Sequence, residues 1–293
     1  MAALSWADNP LLPKESLTLI PAIDGAFWYL DPDGEYWRAF IFIEKTICLQ
    51  KSDNQLHLFQ AAQAFGRFQR MLADFPAGLL HETIPGFHHT PGRLARFLDA
   101  LKNSAVGRAA AVEPEIGFVL QRQSDMSILA DALSRQDLPL RVTHNDTKLN
   151  NVLLDESTGC SVCVIDLDTV MPGSVLYDFG DSVRLGAATA AEDERDLTKV
   201  GFDIRLFDRL AQGYLDAARD FLTPEEIRLL AFSAKLLTLE CGIRFLTDHL
   251  NGDIYFKIHR EGHNLDRCRT QFKMVAEMER KTDELEAVVR KYL

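Results

Sequence analysis

His144-Asn145-Asp146-Thr147-Lys148-Leu149-Asn150-Asn151 and, ten residues on, Val162-Cys163-Val164-Ile165-Asp166-Leu167-Asp168 concentrate more chemistry than any other part of this chain. The first stretch spells H-x-D-x-K-x-x-N, with apolar strand-like residues at Leu140–Thr143 before it. The second is a short run of β-branched and apolar residues that ends on two carboxylates. An isolated H-x-D is most often a cap or a turn. Four fixed positions, then a buried-type strand with an acidic end, form a constellation that asks for a chemical reason.

Phosphoryl transfer supplies that reason. An acceptor hydroxyl needs a carboxylate within hydrogen-bond reach, and a loop between strands can present Asp146 there. Five residues later the amide oxygen of Asn151 can coordinate Mg²⁺, and Asp166, at the end of the neighbouring strand, can supply a second oxygen. Lys148 can reach the transferring phosphoryl group and neutralise its charge. Asp168, two residues beyond Asp166, is a candidate for a second metal or for bracing the loop. The cofactors expected from this set are Mg²⁺ and ATP.

The order of these residues resembles the catalytic loop and metal aspartate of the kinase-like superfamily, H-R-D-x-K-x-x-N followed by D-F-G. With I-D-x-D in place of D-F-G, it is similar to the aminoglycoside phosphotransferase and choline kinase branch, which phosphorylates small molecules. Asp178-Phe179-Gly180 also spells D-F-G, but it stands 27 residues past Asn151, against 15 for Asp166. The metal is therefore expected at Asp166, with Asp178 supporting the loop. The matching histidine of that fold orients the loop, so His144 is expected to pack and hydrogen-bond and not to act as acid or base. The implied fold is α+β and protein-kinase-like: a truncated, β-rich N-lobe remnant over residues 1–45, and a large, mainly helical C-lobe over residues 46–293.

A finer resemblance, to N-acetylhexosamine 1-kinase, rests on Thr18–Phe42, Glu82–His88, Thr143–Asp181 and Leu239–Phe272. That family phosphorylates the anomeric hydroxyl of N-acetylglucosamine or N-acetylgalactosamine. Glu240–Asp248 followed by Asn251–Phe256 is the part most particular to it, and it implies that Arg244 and Tyr255 line the sugar pocket. Their chemistry suits that role, because arginine offers forked donors and tyrosine a ring face with a hydroxyl. The plainer alternative is that Arg244 pairs with Asp248 at i,i+4 and Tyr255 is a core aromatic. One position departs from the family's F-H-D-T run, since His89 stands where aspartate is expected.

Composition agrees with a globular enzyme and narrows its partners. The chain has 293 residues, 47% hydrophobic and 26% charged, so it can close a sizeable core without staples. Lys plus Arg is 32 against Asp plus Glu at 43, a formal net charge of -11, which argues against a nucleic-acid polymer as partner. The longest apolar stretches, such as Phe40–Ile43, are about a strand long, so no membrane span is expected. The first 20 residues lack the charged start and apolar run of a signal peptide. Five scattered cysteines fit reduced thiols in a cytoplasmic protein, with Cys160 and Cys163 read as structural.

Strands are expected near Leu17–Pro21, Ala26–Leu30 and Trp37–Glu44, the last two joined by the turn Asp31-Pro32-Asp33-Gly34. Trp37–Glu44 reads as the strand leading into the hinge, where backbone of Phe42, Ile43 and Glu44 would meet adenine. Helices are expected over Leu58–Phe75, Thr90–Lys102, Glu115–Arg135, Thr223–Leu250 and Leu265–Lys291, and almost wholly helical chain from Tyr177. A nucleotide half with a glycine-rich hairpin and a phosphate-binding lysine needs on the order of 50–60 more residues upstream. Lys14 reads as a solvated turn residue, and no lysine follows a glycine loop. Three readings follow: a sugar 1-kinase, another small-molecule kinase of the same branch whose polycationic acceptor would suit the acidic charge, and a non-catalytic sugar-binding pseudokinase.

Overall fold

The structure is a computed structural model and describes residues 15–52, 54–103 and 105–293; Lys14 lies outside the described residues. The front end is a set of two-residue strands: β1 (Leu19–Ile20), β2 (Tyr29–Leu30), β3 (Tyr36–Trp37) and β4 (Ala39–Phe40). β1 pairs with β4 and β2 with β3, all antiparallel. The expected turn forms between β2 and β3, where Gly34 adopts φ +87° and the Asp31 carboxylate accepts the Asp33 and Glu35 N–H groups. The expected long strand Trp37–Glu44 is shorter than its alternation suggested. Ladder pairing stops at Phe40, and Phe42, Ile43 and Glu44 run on as irregular chain with Phe42 84% exposed. Two-stranded ribbons with no core beneath them have little to extend their pairing.

After β5 (Thr46–Ile47) the chain enters helix α1 (Gln55–Met71), capped by the Asn54 side chain on the Leu56 N–H. Leu58, Ala61, Ala62, Phe65 and Phe68 form its buried stripe, as their 3.6-residue spacing requires. The helix stops four residues before the expected end: tight i→i+3 turns carry residues 72–75 to Pro76, before which the helical region is disfavoured. α2 (Thr90–Asn103) follows the expected boundaries. The expected helix over 115–135 is instead α3 (Glu113–Leu120) and α4 (Ile128–Ser134), separated by the polar run Gln121–Ser127, whose serines and aspartate favour turns.

The middle of the chain builds two small sheets. β6 (Arg141–Thr143) pairs with β9 (Met171–Gly173), while β7 (Val152–Asp155) pairs with β8 (Ser161–Val164) and with β5. The consequence is topological. The loop from β6 to β7 and the loop from β8 to β9 both cross between the same two sheets, so they lie side by side. β7, which alternation alone did not reveal, is the element that brings them together.

α5 (Val175–Gly186) is almost wholly buried and leads to a non-helical stretch, residues 187–203, fastened by a bridge between Ala188 and Phe202. α6 (Ile204–Ala218) packs on α1 so closely that a Cβ on Gly213 would lie 2.2 Å from the Phe59 carbonyl oxygen. α7 (Pro224–Leu250) begins with the capping box that the sequence spells: the Thr223 hydroxyl takes the Glu226 N–H and the Glu226 carboxylate takes the Thr223 N–H. Gly252, at φ +97°, ends it. α7 is apolar nearly all round and runs through the lobe between two clusters of buried side chains. The expected last helix divides at Lys281 into α8 (His263–Arg280) and α9 (Thr282–Arg290), where Thr282-Asp283 offers a new helix start and Lys281 donates to the Phe202 carbonyl.

All five cysteines are free thiols. No helix among the described residues is long and apolar enough to cross a membrane.

The close approach of α1 and α6 makes a test of packing. Alanine for glycine in a helix interior normally gains about 1 kcal/mol. At Gly213 the clash with backbone reverses the sign, so Gly213→Ala should cost about 1–3 kcal/mol and lower the thermal midpoint by several degrees. Gly117→Ala, where a Cβ meets nothing within 4 Å, should leave the midpoint unchanged or raised. Equal midpoints for the two variants in thermal unfolding would contradict this account of the interface.

Candidate active site

The β6–β7 loop is held from beneath by one buried carboxylate. Asp178, in the first turn of α5, accepts the His144 N–H at 2.9 Å through Oδ2 and the Asn145 N–H at 2.7 Å through Oδ1. Gln69 of α1 donates to the same carboxylate at 2.7 Å, and Tyr214 of α6 donates to the Gln69 side-chain oxygen Oε1 at 2.6 Å. Burial pushes the Asp178 carboxyl up, while these N–H donors pull it back; the net direction is upward. The Thr147 hydroxyl then donates to the Asp178 backbone carbonyl at 2.6 Å. α5 and the loop are thus tied at both carboxylate and main chain.

His144 joins the two parallel loops. Its Nδ1 accepts the Asp146 N–H at 3.3 Å, and its Nε2 faces the Ile165 carbonyl at 2.9 Å. That pair of partners fixes the neutral tautomer with the proton on Nε2. The ring sits edge-on to Phe65 and Phe68, fully buried. Thr169 donates to the His144 carbonyl at 2.7 Å, Asn145 donates to the Thr169 carbonyl at 2.9 Å, and Ile165 N–H reaches the Asn151 carbonyl at 2.9 Å. Both loops also turn through left-handed backbone, at Asn145 (φ 66°) and Asp166 (φ 62°). Asparagine and aspartate tolerate that region best among non-glycine residues, at a cost of order 1–2 kcal/mol each.

Asp146, Lys148 and Asn151 are brought together on the first loop. The Lys148 ammonium contacts both Asp146 carboxylate oxygens, at 2.7 and 2.8 Å. Asn151 spends its amide N–H₂ on the Asp146 carbonyl (2.8 Å) and carboxylate (3.1 Å). Its amide oxygen has no donor among the described residues. Asp166 is exposed, and its carboxylate is likewise without a partner there. Two free hard oxygens on adjacent loops fit Mg²⁺, which keeps waters and takes phosphate oxygens in preference to an all-protein cage. Among the described residues no three His, Cys, Asp or Glu side chains converge as a metal site. Asp168 faces elsewhere: it is paired with Arg38, from between β3 and β4, and its carbonyl receives the Thr83 hydroxyl. The front end is therefore fastened over the second loop.

Arg244 and Tyr255 lie apart from this cluster and are connected to it through residues 87 and 88. The Arg244 guanidinium stands over the Phe87 ring (5.2 Å) and the Phe256 ring (5.5 Å). The i,i+4 pairing with Asp248 does not form, because Asp248 accepts the N–H groups of Ile254, Tyr255 and Phe256 and the Asn264 amide. Nor is Tyr255 a core aromatic; it is 69% exposed. His88, next to Phe87, points its Nε2 at the Asn145 carbonyl (3.2 Å) and its Nδ1 at Glu240 of α7 (2.9 Å), and Thr90 donates to the other Glu240 oxygen at 2.6 Å. Glu240 and Arg244 are one turn apart on α7, so the same helix holds the loop and presents the guanidinium. His89 accepts the Gly92 N–H at 3.1 Å in the first turn of α2, a capping contact that aspartate could also make.

The sequence reading assigned no role to His88, Glu240, Gln69 or Arg38. A signal for Glu240 was present: a carboxylate inside the buried apolar run Leu236–Ile243 must have a partner. Its partner, 152 residues away, had no local mark.

The chain belongs to the phosphotransferase enzyme family, whose model matches residues 20–230. Solved structures of similar fold include a microcompartment-associated aminopropanol kinase, 19% identical over 97% of this chain and 80% of that one, with a TM-score of 0.62. An aminoglycoside phosphotransferase from Alicyclobacillus acidocaldarius is 13% identical over 96% of this chain and 78% of its own, at 0.60. A choline/ethanolamine kinase family protein from Mesorhizobium loti is 17% identical over 94% and 79%, at 0.52. The expected α+β, kinase-like fold is thus the fold of this chain.

The buried His88–Glu240 pair gives stability a definite pH dependence. Burial opposes charge on His88, but the hydrogen bond and charge of Glu240 more than offset it and raise the imidazole above 6.5. Burial likewise pushes Glu240 up, and His88 and Thr90 bring it below 4.5. The raised histidine contributes stability fully below about pH 6.5 and loses it as pH climbs through the folded-state value; the lowered glutamate contributes above about pH 4.5 and fails below it. Urea unfolding should show a decline above pH 6.5 that is absent from His88→Asn, which should itself cost about 3–5 kcal/mol near pH 6. Parallel pH profiles for the two proteins would rule this pair out as the cause.

Proposed function

We propose that this protein is a Mg²⁺- and ATP-dependent kinase of a small-molecule hydroxyl, and that its acceptor is the anomeric hydroxyl of an N-acetylhexosamine. The observation that carries the proposal is the convergence of Asp146, Lys148, Asn151 and Asp166 on two loops tied together by His144. Asp146 accepts the hydrogen bond of the acceptor hydroxyl and takes its proton as the hydroxyl oxygen bonds to the γ-phosphorus of ATP and the bond from that phosphorus to the bridging oxygen breaks, releasing ADP. Lys148, already beside that carboxylate, offers its ammonium to the oxygens of the phosphoryl group. Asn151 and Asp166 hold Mg²⁺, which when bound supplies neutralisation of phosphate charge. Asp178 and His144 keep the two loops in register, and the Phe42–Glu44 backbone is the assigned contact for adenine.

The acceptor assignment rests on Arg244 and Tyr255. Arg244 keeps its donors free while its guanidinium rests against two aromatic rings, which suits recognition of sugar hydroxyls or an acetamide carbonyl. Another small-molecule kinase of the same branch is the second reading, since fold neighbours include kinases named for aminopropanol and for choline or ethanolamine. The cluster of Arg93, Arg96 and Arg244 around the same cavity disfavours a cationic acceptor and supports the sugar. The protein is taken to work in the cytoplasm, with a nucleotide and a sugar as its partners.

The test is ADP release with Mg-ATP and N-acetylglucosamine or N-acetylgalactosamine, against aminopropanol and choline as competitors for the role. Turnover should appear with a hexosamine, and Asp146→Asn should lower kcat by about 10²–10⁴-fold while sugar binding is retained. Asp166→Ala should abolish Mg²⁺-dependent nucleotide binding in a direct titration. Sugar binding with no nucleotide binding in the unaltered protein would favour a non-catalytic sugar-binding protein instead.

A further inference from the structure

A cavity of about 410 Å³ opens between α2 and the second half of α7, within the size range of small-molecule sites. Its lining includes Arg93, Arg96, Asp99, Arg244, Tyr255 and Phe256. Three guanidinium groups around one small cavity are unexpected in a chain with a net charge of -11. Most of the other half-buried arginines sit on carboxylates: Arg108 on Asp253, Arg122 on Glu279, Arg141 on Glu226, Arg184 on Asp181 and Glu192. In the cavity they do not. Neither Arg96 nor Arg244 has an ion-pair or hydrogen-bond partner among the described residues, and Arg93 donates only to the Phe87 carbonyl.

The carboxylates nearby do not relieve the charge. Asp248 is filled by three backbone N–H groups and Asn264, and Glu240 by His88 and Thr90. Asp99 and Asp248 both line the cavity, so three guanidinium groups face two carboxylates, of which Asp248 is already filled by N–H donors and Asp99 is exposed. Burial first, and then the neighbouring Arg244 charge, pull Arg93 below the usual arginine range, against the opposing charge of Glu240. Cation–π contacts with Phe87 and Phe256 hold Arg244 in place without using any of its N–H donors.

We propose that the α2–α7 cavity is an oxyanion subsite that takes a phosphate or carboxylate group carried by a small molecule. The guanidinium groups supply forked, charge-assisted donors to two or three oxygens at once, and Tyr255 supplies a ring face and hydroxyl at the exposed side. The subsite shares Arg244 and Tyr255 with the acceptor site, so it rests on the placement of the acceptor there, but not on phosphoryl transfer. Its occupant is then an N-acetylhexosamine that carries an anionic group in addition to the hydroxyl that reaches Asp146.

Calorimetric titration without nucleotide tests this, using N-acetylglucosamine, N-acetylglucosamine 6-phosphate and glucuronate as probes. At least one anionic probe should bind about tenfold or more tighter than the neutral sugar, with an advantage that shrinks as salt is raised. Arg96→Gln should cut the anionic-to-neutral ratio several-fold; Arg96 is exposed and makes no structural bond, so the variant should fold. Arg70→Gln, an exposed arginine of α1 outside the cavity, should leave the ratio unaltered. Equal affinity for neutral and anionic probes, or an anionic advantage that Arg96→Gln does not reduce, would overturn the proposal. Phosphorylation of N-acetylglucosamine together with equal affinities would sink this inference alone and leave the kinase reading standing.

Discussion

The active-site geometry depends on the buried carboxylate of Asp178. It receives two successive backbone N–H groups, of His144 and Asn145, at the point where the first loop leaves β6. Those groups have left the sheet and have no helix to enter, so without an acceptor they would be buried and unpaired, at about 1–3 kcal/mol each. Supplying the acceptor also permits the left-handed turn at Asn145, which swings Asp146 outward while His144 turns inward to meet the second loop. The carboxylate is itself kept in place by Gln69 and, through it, by Tyr214. A chain of hydrogen bonds therefore runs from the α1–α6 interface to the residue before Asp146.

The two small sheets turn that local fixation into a site. Because β6 pairs with β9 and β7 with β8, anything that positions one crossing loop positions the other. His144, Asn145 and Thr169 supply the cross-links, and Asn151 and Asp166 emerge with free oxygens on neighbouring strands of chain. α7 adds a second anchor from the opposite side, where Glu240 grips His88 on the Asn145 carbonyl. The same helix carries Arg244 one turn further on. Loop position and the arginine-lined cavity are thus coupled through one rigid element.

Much of this was legible before any coordinates. H-x-D-x-K-x-x-N and the acidic end of Val162–Ile165 pointed to the kinase-like lobe, because those residues act locally and their spacing is set by one loop. The capping box at Thr223 and the stop at Gly252 were legible for the same reason. Asp178 could be separated from Asp166 by counting residues, although both sit near D-F-G-like text. What local pattern could not convey was pairing at a distance: Glu240 with His88, Gln69 with Asp178, Arg38 with Asp168. The breaks inside the expected helices over 115–135 and 265–291 have local marks, the polar run Gln121–Ser127 and the Thr282-Asp283 start, but each is short enough to be read through as the exposed face of one longer helix. The plain reading of Arg244 as a partner for Asp248 failed because three backbone N–H groups claim that carboxylate first.

The most direct test of this architecture is hydrogen exchange of the individual amides in the unaltered protein and in Asp178→Asn. If the carboxylate organises both loops, the variant should lose protection at residues 144–147 and 165–170 together, by tenfold or more, while α7 stays protected. Unchanged protection in the loops, or loss confined to the first of them, would contradict the claim that one buried carboxylate sets the register of the site.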